Sequence, residues 1–453
     1  MGLIAIRPSN QDDAGHCIEF LTNLLNDYPN PDFRIRLWDG TIWGSAPVPR
    51  FTLALNHPGT LRRLCDSPSE LTLGESYIYN DLDIEGDIEG VFDLGDFLLA
   101  LGNRNLLHRA HLSKLFRSLP NEEEASAGQY RPIAFGGTPH SRSRDRQAVR
   151  YHYDLPREFF ALWLDRGMVY SSAYFTSAEE SNLDAAQHRK LDYICKKLRL
   201  RPGDSLLDIG CGWGQLLIHA AASYGIRGVG ITLSVPQAEA ARQRIRDAGL
   251  NHQCRIEVCD YRDLEEGLLF DKIVSVGMFE HVGEERLPEY FSGAWQRLMP
   301  GGAFLISGIS ASATEHRQGP SFIDRYVFPD GDLVPISASL AVAEKTGFEV
   351  TDVENLREHY ALTLRRWVRR LEAHAEEARR LTDETTYRIW RLYMAGSAHR
   401  FSSGRLNLYQ TLLLKSPAEK SIPLTRTDWY RDRPECGGYP LPTPGSRLDR
   451  ASD

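Results

Sequence analysis

Hydrophobic residues recur along this chain in two periods, and the changes of period mark its elements. Residues 10–30 place Cys17, Phe20, Leu21, Leu24 and Leu25 on one face of a helix. Phe33–Trp38 and Thr41–Trp43 read as strands around an Asp39-Gly40 turn, Phe51–Leu55 as a further strand and Pro58–Cys65 as a short helix. The acidic stretch Asp81–Asp87 follows, and helical patterning resumes over Val91–Leu101. This is a small α+β unit. The pattern then lapses over residues 120–147, where Pro120, three consecutive glutamates, Gly136-Gly137, Pro139 and alternating Ser and Arg compose a linker. Tyr153–Leu164 and Leu183–Leu198 read as helices. Beyond them the strand Leu206–Ile209, the helix Gln215–Tyr224, the strand Arg227–Ser234 and the helix Pro236–Ala248 alternate. Strands continue at Arg255–Val258, Lys272–Val276, Phe304–Ser307 and Phe348–Val353. Such alternation builds an open, largely parallel α/β sheet. Residues 361–396 form a long helical insertion, expected to be a lid, before a last strand near Asn407–Leu414. The expected organisation is a small N-terminal domain over 1–118, a linker over 119–147, an α/β domain over 148–430 and a disordered tail over 431–453.

Composition adds exclusions. A chain of 453 residues exceeds one ordinary core, in keeping with two domains. No apolar run approaches the length that spans a bilayer, and the first residues lack a secretory core. Seven cysteines at scattered positions suit reduced thiols in a cytosol, and Cys254 and Cys259 read as packing residues, so no metal site is expected. A net charge of −8 argues against a nucleic-acid partner. Positive charge is nonetheless clustered, at His108–Arg117, Ser141–Arg146 and Arg365-Arg366 with Arg369-Arg370. Solvated helix faces explain such groups, and docking on anionic lipid headgroups is the functional alternative.

The candidate chemistry centres on Leu206-Leu-Asp-Ile-Gly-Cys-Gly-Trp-Gly214. A strand running into Gly-x-Gly-x-Gly makes a tight turn that lets a ligand approach the backbone at the carboxyl end of the sheet. Dinucleotide folds carry Gly-x-Gly-x-x-Gly and an acid at the end of the second strand, whereas that strand ends here in Thr232-Leu233-Ser234. The form Asp-x-Gly-x-Gly-x-Gly resembles the nucleoside-binding turn of S-adenosyl-L-methionine (SAM) methyltransferases.

Several further stretches resemble one family, the cyclopropane fatty acid synthases. These are His152-Tyr-Asp154, Met168–Tyr174, Val229–Ser234, Asp260–Asp263, Ser275–Gly283 with its Met-Phe-Glu-His-Val-Gly, Ile323–Pro329 and Phe401–Gln410. The match covers residues 150–415, and residues 30–100 more loosely resemble the family's small lipid-handling domain. The resemblance implies a Rossmann-like class I SAM-dependent methyltransferase sheet and alkylation of the cis double bond of an unsaturated phospholipid acyl chain. Methyl transfer to an alkene leaves a carbocation, which aromatic faces stabilise. A base then takes a proton from the new methyl and the ring closes. The resemblance further implies a cytoplasmic homodimer held peripherally at the inner face of the membrane.

For the cofactor, the family reading places Tyr170 and Ser171 at the methionine end with the Asp208 turn through Gly210, Cys211 and Gly212. Thr232, Leu233 and Gln237 take the ribose side, and Tyr261 and Arg262 flank the adenine. Trp213 and Met278 line the pocket. For the base, the resembling enzymes hold a bicarbonate ion through a Cys, a Glu, a His, a Tyr and a backbone group. Here the Glu corresponds to Glu280, the Tyr to Tyr360 and the backbone group to Ile309, with His281 as an orienting neighbour of Glu280. The Cys position is Ser172, the His position Ser307, and a further Cys position Ser397. Three outcomes follow: bicarbonate bound through Glu280, Tyr360, Ser172 and Ser307 and a cyclopropane product; a proton lost elsewhere and a methylene-branched or methylated chain; or Glu280 itself as the base, with cyclopropanation the favoured chemistry. Methyl transfer to another small-molecule acceptor and a non-catalytic lipid-binding protein are the competing readings.

Overall fold

The computed structural model of the chain describes residues 11–29, 31–44, 46–66, 68–100, 106–121, 136–138, 140–153, 155–313, 321–416 and 423–431. It divides into two compact units. The tail expected over 431–453 lies outside the described residues beyond Arg431, as does most of the glutamate-rich part of the expected linker.

The first unit holds Met1–Ile133 together with Gln318–Val327 and Asp383–His399. Strands β1 (Arg34–Arg36), β2 (Ile42–Trp43), β3 (Phe51–Leu55) and β4 (Leu82–Gly86) form a sheet in the order β2-β1-β3-β4, with β1 and β3 parallel. Phe33 and Phe51 stack at 4.9 Å, and the helix Gln11–Leu24 buries Cys17, Phe20 and Leu21. Strand β4 lies within the acidic stretch, where no element was expected. Leu82 and Ile84 alternate inward while Glu85 faces solvent, so a period of two is hidden by the carboxylates.

The placement of Asp383–His399 corrects the expectation of one continuous lid on the α/β domain. Buried arginines do this. Arg388 donates to the Tyr77 carbonyl at 2.9 Å, and Arg391 donates to the Tyr77 hydroxyl and the Ile84 carbonyl at 2.9 and 3.1 Å. His399 Nε2 reaches Asp96 at 2.8 Å. A guanidinium that satisfies buried carbonyls is held where those carbonyls are.

The second unit holds Ala134–Arg317, Phe328–Thr382 and Arg400–Asp453. Its strands are β5 (Ser205–Ile209), β6 (Arg227–Thr232), β7 (Cys254–Val258), β8 (Phe270–Val276), β9 (Leu298–Ala311), β10 (Glu349–Asn355) and β11 (Leu406–Leu414). They form one sheet in the order β10-β11-β9-β8-β5-β6-β7, parallel from β9 to β7, with β11 antiparallel to both neighbours. The central strands are apolar on both sides because helices cover both faces. Leu206, Val274 and Leu305 pack with the helices Leu183–Lys197, Gln215–Tyr224 and Val235–Asp247. Leu207, Ile273 and Phe304 pack on the opposite face with Leu287–Arg297 and Ile336–Thr346. A helix over Arg142–Tyr153 begins inside the stretch expected to be linker, and the helix expected over Tyr153–Leu164 is reduced to Arg157–Ala161.

Among the described residues no helix is long and apolar enough to cross a membrane, and no cluster of side chains could hold a metal ion. The arginine group at 365–370 is mostly engaged internally. Arg366 donates to the Ala178 carbonyl at 2.8 Å, Arg370 to the Leu164 carbonyl at 2.7 Å and Arg365 to the Ser402 hydroxyl at 2.6 Å.

Candidate active site

A cavity runs across the carboxyl ends of β8, β5, β6 and β7, the place where open α/β sheets bind ligands. Its floor is the turn after β5. Gly210 and Gly212 sit at φ +81° and +53°, and a Cβ at Gly210 would lie 2.9 Å from Met278 Cβ. The Gly210 and Cys211 amides both donate to the Ile231 carbonyl, at 2.9 and 3.0 Å, which ties the turn to β6. Gly214 also takes a positive φ, +79°, and a Cβ there would meet Ala241 Cβ at 3.1 Å.

Every residue assigned to the cofactor from sequence lines this one cavity: Tyr170, Ser171, Asp208, Gly210, Cys211, Gly212, Thr232, Leu233, Gln237, Tyr261 and Arg262. Trp213 and Met278 do too. After β6, Ser234 caps the helix Val235–Asp247, and the Thr232 hydroxyl meets Gln237 Oε1 at 3.0 Å. After β7, Asp260 opens a short turn and accepts from the Arg262 Nε at 2.8 Å. Arg262 also donates to Asp145 at 2.8 Å, and its guanidinium lies over the Tyr261 ring at 5.2 Å. Two carboxylates therefore fix the arginine and, through it, the ring wall. Cys259, read as a packing residue, also belongs to the cavity wall.

Sequence reasoning missed Asp145, Val149 and Tyr153, which line the cavity from the helix Arg142–Tyr153. Their spacing of four was the available signal, obscured by Ser and Arg. It also missed Lys190. Asp208 and Lys190 are both nearly inaccessible to solvent. Burial raises the Asp208 carboxyl to about 7 against the opposing pull of Lys190, and lowers the Lys190 ammonium to about 8. A glycine cradle open to backbone approach, a buried acid and ammonium, hydroxyl and amide groups at the end of β6, and an aromatic wall at Tyr261 fit SAM. Those groups match its amino-acid arm, ribose and base in turn.

The residues assigned to the base are arranged differently. Of them only His281 lines the cavity, and burial, then His140, holds its imidazole down at about 4, so it is neutral at physiological pH. Glu280 lies on the short turn Phe279–His281, and its Oε1 accepts the Ile309 N–H at 2.7 Å. Oε2 is buried without a hydrogen-bond partner among the described residues. Burial raises this carboxyl to about 7, opposed by the Ile309 amide. Ser307 sits on β9 opposite Gln410 on β11. The Ser172 hydroxyl donates to the Ala173 carbonyl at 3.1 Å, and the Ala173 amide donates to Thr363 at 2.9 Å on the helix that carries Tyr360. Ser397 falls in the first unit.

An array of buried rings leads away from the cavity wall. Trp213 packs on Phe160 at 5.3 Å; Tyr170 packs at 5.3 Å on both Trp163 and Trp367. Trp367 meets Tyr360 at 6.1 Å, and Tyr360 meets Phe401 at 4.7 Å. His152 joins the array, stacked on Phe328 at 4.0 Å with its Nε2 3.2 Å from the Tyr170 hydroxyl.

A family model described as mycolic acid cyclopropane synthetase matches residues 140–411, the stretch that contains this cavity. The chain belongs to this family. A model for a domain of unknown function matches residues 20–95. A probable fatty acid methyltransferase of Pseudomonas putida is 39% identical over 88% of this chain and 96% of its own length. The tuberculostearic acid methyltransferase UfaA1 of Mycobacterium tuberculosis is 34% identical over 83% and 86%. Among solved structures, mycolic acid cyclopropane synthase CmaA1 complexed with SAH and CTAB is 34% identical, with a TM-score of 0.56 over 60% of this chain and 98% of that one. The protein is thus a member of a family of SAM-dependent methyltransferases that modify lipid acyl chains, with the class I methyltransferase fold.

Proposed function

We propose that this protein alkylates the cis double bond of an unsaturated acyl chain in a phospholipid and closes the product to a cyclopropane. The observation that carries this reading is the ring array that begins at the cavity wall with Tyr170 and Trp213. Bound SAM supplies an electrophilic methyl. The alkene electron pair forms the new carbon–carbon bond, and the adjacent alkene carbon becomes cationic. Aromatic faces stabilise such a cation by about 2 kcal/mol or more when water is excluded.

Ring closure needs a group that accepts a proton from the new methyl. Glu280 suits this role, because a carboxyl held at about 7 is substantially ionised at neutral pH and its Oε2 has no other partner among the described residues. A bicarbonate ion would need the Ile309 N–H, which already serves Glu280. That favours the carboxylate as the base. A second reading, a methyl- or methylene-branched product, is favoured by the names of the relatives that match over most of their length.

The test is incubation of the purified protein with SAM and either oleoyl phospholipid vesicles or free oleate, followed by mass spectrometry and proton NMR of the chains. Gain of one CH2 with upfield ring protons supports cyclopropanation, and vinylidene or branch-methyl signals establish the second reading. No gain on either lipid overturns both.

A further inference from the structure

The segment that leaves the cavity wall at Ser171 runs on between two helices, and its successive amides go to opposite sides. Tyr174 donates its N–H to the Ala186 carbonyl at 3.1 Å, on the helix Leu183–Lys197. Ala173 and Phe175 donate theirs the other way, to Thr363 Oγ1 at 2.9 Å and to His359 Nδ1 at 3.0 Å, on the helix Arg357–Ala373. Thr363 in turn donates its hydroxyl to the His359 carbonyl at 2.7 Å. Arg366, one turn further on the same face, donates to the Ala178 and Glu180 carbonyls at 2.8 and 3.0 Å and lies over the Phe175 ring at 4.7 Å. These bonds join the two pieces of chain that carry the ring array. Tyr170 comes from the segment, Tyr360 and Trp367 come from the helix, and Tyr170 meets Trp367 at 5.3 Å across the seam. The cofactor end of the segment is held separately, by Gln187 Nε2 on the Ser171 and Val169 carbonyls and by Asp165 on the Val169 amide.

Of His359, Thr363 and Arg366, the imidazole is the group whose role a proton reverses. Accepting an N–H at Nδ1 requires the neutral ring with its hydrogen on Nε2, and protonation of Nδ1 sets two donors face to face. The ring is stacked on Tyr174 at 4.6 Å. Burial holds its pKa below 6.5, opposed by Glu354 and Glu358. Glu354 on β10 is engaged by Tyr193 and Lys197, and Glu358 by Arg357. We propose that His359 is a positioning residue for acyl alkylation: its neutral imidazole accepts the Phe175 N–H and so sets Tyr360 and Trp367 against Tyr170, and its protonation parts them. The proposal rests on the reading of the ring array as the place of alkylation, and it deepens that reading. The seam is complete above the ordinary histidine value and is lost as pH falls through the lowered one.

The test compares the wild type with two variants of the full chain. His359→Phe keeps a ring against Tyr174 and lacks the acceptor; His359→Asn offers an amide oxygen to the Phe175 N–H and does not titrate. Hydrogen exchange of the peptide containing Phe175, corrected for the intrinsic effect of pH on exchange, is followed between about pH 5 and 8. Protection is expected to fall with pH in the wild type, to persist in His359→Asn and to be absent throughout in His359→Phe. Turnover of SAM with oleoyl phospholipid vesicles is measured over the same range. Ionisation of Glu280 gives log kcat an acid limb of unit slope below about 7. His359 adds a second proton, so the slope should steepen from one to two in the wild type and stay at one in both variants. At neutral pH His359→Phe is expected to lose roughly tenfold or more in kcat, and His359→Asn to recover it. Calorimetry should show S-adenosylhomocysteine bound equally by all three proteins, which also shows that the variants are folded. Wild-type protection at Phe175 that does not vary with pH, equal loss of kcat in the two variants, or weakened cofactor binding that accounts for the loss would overturn the assignment. No turnover by a wild type whose Phe175 protection does vary with pH would overturn the alkylation reading instead, and the role of His359 in that reaction with it.

Discussion

Glu280→Gln isolates the ionisation of the buried carboxyl that accepts the Ile309 N–H. Glutamine keeps an oxygen acceptor for the Ile309 amide and removes the ionisation. Burial lifts the glutamate from 4.5 to about 7. A group raised on folding contributes stability that is complete below its unfolded value and is lost as pH rises through its folded value. Each pH unit of displacement corresponds to about 1.4 kcal/mol, so the wild type should lose about 3 kcal/mol relative to the variant between pH 4.5 and pH 8. The amide nitrogen placed where Oε2 now lies is left without an acceptor, a cost of about 1–3 kcal/mol that is constant with pH. It shifts the difference between the proteins and leaves the slope intact. The assay is urea unfolding of both proteins at several pH values, with the transition of the second unit followed by its tryptophans. A stability difference that does not change with pH would refute the claim that Glu280 is a buried, reluctantly ionised carboxyl, and with it the case for Glu280 as base.

Other consequences can be checked independently. Added bicarbonate should change the rate in a carbonate-depleted assay by less than roughly twofold, because Glu280 already occupies the Ile309 amide; a rate that depends on bicarbonate would restore the bound anion. Gly210→Ala forces a Cβ into a left-handed turn at about 1–2 kcal/mol and against Met278 Cβ at 2.9 Å. Calorimetry should show S-adenosylhomocysteine binding weakened roughly tenfold or more. Arg388→Met removes the donor to the Tyr77 carbonyl and strands buried backbone in the first unit. It should destabilise that unit by about 3 kcal/mol, seen as faster hydrogen exchange of the amides of β3 and β4.

What could be read from the sequence follows from how local each signal is. The strands β5, β6 and β8 announce themselves as apolar runs, and the turn at Gly210 and Gly212 is written in residues that must take positive φ. The residues assigned to the cofactor line one cavity around that turn. Strand β4 was invisible because acids occupy its outward positions, and the Arg142–Tyr153 helix because Ser and Arg conceal the face formed by Asp145, Val149 and Tyr153. The transfer of Asp383–His399 to the first unit depends on arginine bonds to carbonyls some three hundred residues away. Nothing local encodes that. Lys190 looked like one more charge on an amphipathic helix, and the Ile309–Glu280 hydrogen bond joins a strand to a distant turn.

The central claim is tested most directly with SAM whose transferred methyl carries three deuterons, incubated with the protein and oleoyl phospholipid vesicles. The account predicts acyl chains that gain one carbon and retain two of the three deuterons on a ring CH2, the third having left as the proton taken by the base. Acyl chains without deuterium, from protein that binds the cofactor, would contradict it.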